Sequence, residues 1–159
     1  MSARLLPLWF DALRALCETA RPDEVVEYEA QTGLAWDAAE VAVELWRLPG
    51  EKYLVVDDEG RPVLAAGVVP RGRGWYRGWM IGSLDGWHAH WRAITRFTRQ
   101  VMEHMLANDA HRLDVLCLAS RTQACRWYMK GLKMRFEGAH PGMGANGETC
   151  ATYARVRGS

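Results

Sequence analysis

The hydrophobic positions change period along the chain, and the changes mark out its elements. In the first third they recur at helical spacing. Trp9, Leu13 and Leu16 lie four and three residues apart, and Pro7 is placed to open that helix. Pro22 opens a second helix, with Asp23 and Glu24 in its first turn, where the dipole favours acids; Gly33 closes it as a C-cap. A third is expected from Asp37 to Trp46, stopped by Pro49 and Gly50. The middle then shortens to strand-like runs. Tyr53 to Val56 and Pro62 to Val69 flank the turn signal Asp58-Glu59-Gly60 and read as a hairpin. After a loop from Pro70 to Gly74, Trp75 to Ile81 makes a third strand, and with no helix between them the three form an antiparallel meander.

The longest helical pattern follows. Ser83 or Asp85 caps it, Trp87, Trp91, Ile94, Val101 and Met105 are predicted on one face, and Arg92, Arg96, Arg99 and Glu103 lie mostly on the other. Leu113 to Leu118 is an apolar strand, Ser120 to Lys130 a helix ended by Gly131, and Lys133 to Gly138 and Thr149 to Val156 are two last strands. No repeat or linker interrupts the pattern. It predicts a single domain over residues 1–159 of mixed α/β (α+β) class: N-terminal helices, an antiparallel meander, then a long helix in a β-α-β crossover.

Composition narrows the function classes. Hydrophobic residues make up 49% and charged residues 25%, the balance of a soluble globular domain. With 20 basic against 19 acidic side chains there is no global field to grip nucleic acid or an anionic membrane. The apolar stretch Leu5 to Leu16 contains Asp11 and Arg14 and is too short to span a bilayer. The four cysteines form no CxxC pair and no zinc spacing, so they read as buried, reduced thiols of a cytosolic protein. His88 and His90, two apart on a helix, point in different directions and read as surface residues rather than metal ligands. Arg71, Arg73 and Arg77, with Arg92, Arg96 and Arg99, read as a solvated basic face. Eight tryptophans are many for this length and suit either a core or an interface.

Four segments carry a resemblance. They are Arg21-Pro22-Asp23-Glu24-Val25-Val26-Glu27 running to Ala30-Gln31-Thr32-Gly33; Asp57 to Pro62 with Ala66-Gly67-Val68; Trp79-Met80-Ile81-Gly82-Ser83; and Cys125-Arg126-Trp127-Tyr128 with Gly131. Over Arg21 to about Gly138 the chain resembles a GNAT-like (Gcn5-related N-acetyltransferase) family of short-tailed phages, whose members are named internal virion protein A or hypothetical acetyltransferases. The order of elements is also that of GNAT folds. The resemblance implies acetyl-CoA as cofactor, held by a loop of Gln/Arg-x-x-Gly-x-Gly/Ala type before the long helix. It implies a tyrosine acid in the last helix, and a phage or host protein as partner, in the host cytoplasm or the virion.

This chain departs from that pattern. The equivalent stretch is Ile81-Gly82-Ser83-Leu84-Asp85-Gly86-Trp87-His88: two glycines remain, but at another spacing and with no Gln or Arg to open the motif. Asp85 puts a negative charge where a pyrophosphate would sit. On the enzyme reading, Gly82, Ser83, Gly86, Trp87 and Arg121 hold the cofactor, Tyr128 is the acid, and Asp85 or a water serves as base, with Asp114 the other nearby carboxylate. Arg121 stands where the family often has asparagine, and the best alignment puts Trp127 at the acid position. Pro141 to Gly147 reads as a plain, flexible loop. The expectation is a degenerate, non-catalytic GNAT-like protein acting through protein contacts during infection; the alternative is an active N-acetyltransferase using an amine acceptor.

Overall fold

The computed structural model describes residues 2–159. The chain runs β1 (Ala3–Pro7), α1 (Phe10–Glu18), α2 (Pro22–Thr32), α3 (Ala38–Arg47), β2 (Lys52–Asp57), β3 (Pro62–Gly72), β4 (Trp75–Gly82), α4 (Leu84–Asn108), β5 (Arg112–Leu118), α5 (Thr122–Arg126), β6 (Arg135–His140) and β7 (Cys150–Val156). The strands form one sheet in the order β1-β2-β3-β4-β5-β7-β6. Among the described residues, only β4 and β5 pair in parallel, as the crossover around α4 requires.

Most boundaries follow from local chemistry already visible in the sequence. The Asp37 carboxylate caps α3 by accepting from Glu40 N–H, and Gly33 ends α2 with φ at 73°. In the β2–β3 turn, Asp57 accepts from the backbone N–H groups of Glu59 and Arg61 and pairs with the Arg61 guanidinium. All four cysteines are free and buried.

Three expectations need correction. Pro7 does not open a helix. It ends β1, an edge strand paired antiparallel with β2 from Ala3↔Asp57 to Pro7↔Tyr53, a position where proline's missing N–H is harmless. The first helix instead starts at Phe10 and still buries Leu13 and Leu16. Second, the buried stripe of α4 is His90, Ile94, Met102, Met105 and Leu106, so His90 is not a surface residue, and Trp91 is 44% exposed. Third, the last helix spans the expected residues but not as α-helix throughout: α5 continues directly into a π-helical turn over Trp127–Gly131.

The sheet has a different cover on each face. Helices α1 and α3 pack on Leu54, Val56, Ala65 and Ile81. Helix α4 covers the other face, with Ile94 against Val55, Val63 and Leu64, and Met102 and Met105 in a cluster with Leu113, Tyr128 and Tyr153. Arg71 and Arg73 are exposed, but Arg77 is not part of a solvated face: with Arg112 and the Trp75 indole N–H it holds the buried Asp114 carboxylate.

Candidate functional site: a cleft between two parting strands

Strands β4 and β5 pair over three residues only, Trp75↔Arg112, Tyr76↔Leu113 and Arg77↔Asp114, and then separate. Gly78 is the first residue past the fork; a Cβ there would lie 3.4 Å from Val115 Cγ1, so the missing side chain helps keep the gap clear. The V opens into a cleft of about 530 Å³. Aromatic rings line it (Tyr28, Trp79, Trp87, Trp91, Trp127 and Tyr128), together with the acids of α2 and Arg121, just before α5.

Helix α2 bridges the mouth of the V. Glu24 reaches the end of β4 and accepts the Gly82 backbone N–H at 3.0 Å; Glu27, one turn on, accepts the Leu118 N–H at the end of β5 at 2.9 Å. Each carboxylate is backed by an arginine. Arg21 binds Glu24 at 2.7 Å and stacks over the Trp87 ring, 4.3 Å from its centroid. Arg121 binds both Glu27 and Asp23. Glu24 is only 5% exposed, and burial raises its pKa above the ordinary glutamate value against the opposing pull of Arg21 and the Gly82 N–H.

The connection from β4 to α4 is Ser83 alone. Its hydroxyl, not Asp85, is the N-cap, accepting from Gly86 N–H at 3.1 Å. Gly86 is packed tightly, since a Cβ there would lie 3.2 Å from Val63 Cα. Two donors of the kind a pyrophosphate uses are taken within the chain: Gly82 N–H by Glu24 and Gly86 N–H by Ser83. The V has room for a narrow arm, and at this turn Glu24 and Ser83 already accept two of the backbone N–H groups that an anion would use.

Of the residues singled out from sequence, Trp87, Arg121 and Tyr128 line the cleft; Gly82, Ser83 and Gly86 form the turn beside it. Asp85 is exposed in the first turn of α4 and does not line the cleft, and Asp114 is paired with Arg77 and Arg112. Tyr128 is buried, its pKa raised by desolvation first and by the nearby Cys117, and its hydroxyl finds no hydrogen-bond partner among the described residues. The π-helical turn puts Tyr128 rather than Trp127 inward; Trp127 donates its indole N–H to Thr95 Oγ1 at 2.8 Å. The Pro141–Gly147 loop is tied down: Ala145 N–H donates to Ala30 O at 2.7 Å. Sequence reading passed over Arg21, Glu24 and Glu27 as site residues; their only local signal is two acids one turn apart on α2.

A forked mixed sheet with this strand order and a cleft at the fork is the fold of the GNAT acetyltransferases. Solved structures agree. The chain superposes on a GNAT-family acetyltransferase from Bacillus anthracis with a TM-score of 0.74 at 15% identity, covering 100% of this chain and 97% of that one. Spermidine N-acetyltransferase from Vibrio cholerae, in complex with CoA and spermine, gives 0.75 at 8% identity, with 98% and 95% covered. A phosphinothricin acetyltransferase from Sinorhizobium meliloti, in complex with AcCoA, gives 0.72 at 12%, with 99% and 90% covered. Neither a protein-family model nor a curated protein sequence matches the chain.

Proposed function

We propose that this GNAT-fold protein does not turn over acetyl-CoA and acts instead through contacts with a protein partner. One observation carries the reading: the buried Glu24 carboxylate, held by Arg21, occupies the backbone N–H at the end of β4. An internal carboxyl group stands where an external anion would be received, and Asp85 adds an acidic side chain to the same helix start. Exposed tryptophans agree with a contact role. Trp9 and Trp46 are 44% and 41% exposed, and Phe10 meets the Trp46 ring edge-on. The resemblance to the phage family makes the setting an infection, with the partner in the virion or the host cytoplasm. A second reading, an acetyl-CoA-dependent N-acetyltransferase, is favoured by the open V and by the unpartnered Tyr128 hydroxyl lining it.

Calorimetric titration with acetyl-CoA separates the two. The first reading expects no heat from the wild-type protein at millimolar ligand, and weak binding appearing in Glu24→Ala as the Gly82 N–H is released. Micromolar binding to the wild type would overturn it and establish the second.

A further inference from the structure

The charges that line the cleft do not cancel. Four arginines and three acids line it. Arg21 is paired with Glu24, Arg121 with Asp23 and Glu27, and Arg77 with Asp114 from outside the lining. Arg71 is left over: among the described residues it has neither an ion pair nor a side-chain hydrogen bond. Glu44 of α3 accepts the Tyr28 hydroxyl at 2.9 Å and does not line the cleft. A break in the β3–β4 ladder sets where Arg71 sits. Pro70 pairs with Tyr76 and Gly72 with Trp75, so Arg71 is the extra residue of a β-bulge, at the opposite end of β4 from the Gly82 turn. Bulges of this kind re-aim the side chain they carry.

The lining on the α3 side of the cleft is apolar. Val69, two residues before Arg71 on β3, joins Leu45 and Leu48 of α3 and the Trp79 ring. Leu45 and Trp79 pack in one cluster, and the Trp79 indole lies over Gly67, where a Cβ would be 2.5 Å from Nε1. A guest that matches this part of the cleft has an apolar body and an anionic end. The planar guanidinium fork suits a carboxylate, which it can bind through two parallel hydrogen bonds. The last residue of a protein chain combines the two features, a side chain and a free carboxylate on one Cα. An internal aspartate or glutamate offers the anion without the apolar group, and it brings two chain arms into a space walled by α2 and α3, where a chain end brings one. The cleft volume of about 530 Å³ falls in the range of roughly 300–1,000 Å³ that takes a drug-sized guest, comparable to a short peptide. We propose that Arg71 binds the C-terminal carboxylate of the protein partner, with the partner's last side chain, a bulky apolar one, against Leu45, Leu48, Val69 and Trp79. This rests on the contact role proposed above and names the part of the partner that enters the cleft.

Short peptides test it. The full chain is titrated calorimetrically, at physiological salt, with acetyl-Ala-Ala-Phe as the free acid and as the C-terminal amide; the blocked N-terminus keeps any amine out of the comparison. The free acid should bind with a submillimolar Kd and the amide about tenfold more weakly, as expected for a lost hydrogen bond to a charged group. Replacing the terminal Phe by Gly should also cost about tenfold, from the apolar surface left unburied. Arg71→Gln should bring acid and amide to the same affinity, and Arg71→Lys, which keeps the charge without the fork, should retain part of the preference. Arg71 is exposed, so both variants should melt as the wild type does. Arg73→Gln, at an exposed arginine that does not line the cleft, should change nothing. In nitrogen-labelled protein the Trp79 indole resonance should shift while those of Trp9 and Trp46, outside the cleft, stay still. Equal affinity for acid and amide in the wild type, or a preference that survives Arg71→Gln, overturns the proposal. Silent peptides together with silent acetyl-CoA sink the chain-end site alone and leave the contact role to other surfaces. Micromolar acetyl-CoA binding sinks the contact role and the chain-end site with it.

Discussion

Asp114 and Glu24 are both buried beside arginines, yet their ionisation is displaced in opposite directions. Burial pushes both up. For Asp114, hydrogen bonds from Arg77, Trp75 and Arg112 outweigh it and the pKa falls below the usual carboxylate value; for Glu24, burial wins. The linkage signs differ accordingly. Asp114 contributes stability above its unfolded pKa of about 3.9, lost as pH falls through the lower folded value. Between about pH 4.3 and its raised folded pKa, Glu24 in the native state keeps a proton that the unfolded chain has released, so stability declines as pH rises. Urea unfolding from pH 3 to pH 7 should therefore show Asp114→Asn with a weaker acid dependence. The same substitution should cost about 3 kcal/mol at neutral pH, the low end for a broken buried pair because Arg77 and Arg112 remain partly solvated. Glu24→Gln should lose the decline above about pH 4.3; slopes identical to wild type would refute the assignment. Tyr128, singled out by its motif, lines the cleft. Glu24 was not, because its partner Gly82 lies 58 residues away and the helix dipole already accounts for an acid in the first turn of α2.

Among the elements, α4 has the most to say about what periodicity can reveal. Its length and its serine cap follow from sequence, and Ser83→Ala should lower stability by about 1 kcal/mol, read as a reduced melting temperature with the helix content retained. An unchanged melting temperature would mean that the Ser83 hydroxyl contributes nothing as a cap. The buried face was read imperfectly. Hydrophobic counting puts Trp91 inward and His90 outward, whereas the helix turns His90 under and leaves the Trp91 ring beneath the Arg92 guanidinium, 4.6 Å from its centroid. A long helix crossing a twisted sheet serves different clusters along its length, Ile94 at one and Met102 and Met105 at another, so no single stripe describes it. Strand β1 was missed for a simpler reason: Leu5 and Leu6 merge into the helical pattern beginning at Trp9, and only pairing with β2 separates them. The π-helical turn has no sequence signal beyond Gly131, where a Cβ would lie only 2.6 Å from Trp127 Cδ1.

At the scale of the whole molecule, the sheet is two plates, β1 to β4 and β5 to β6, hinged on three residue pairs and on the Asp114 cluster beside them. Amide exchange at Arg112 to Asp114 should accelerate well beyond that of β2 and β3 when Asp114 is replaced by Asn; equal acceleration across the sheet would mean global loosening rather than a local hinge. Within the second plate, β7 lies between β5 and β6 and pairs antiparallel with both. Strand β5 therefore waits through the synthesis of α5, β6 and the loop beyond before its outer edge is covered. During that interval the nascent chain exposes a half-paired apolar strand, Leu113 to Leu118. Arrival of β7 closes both neighbours at once, so the second plate forms as an insertion rather than by accretion, and a ribosome paused before Cys150 would leave an unfinished edge for a chaperone to cover.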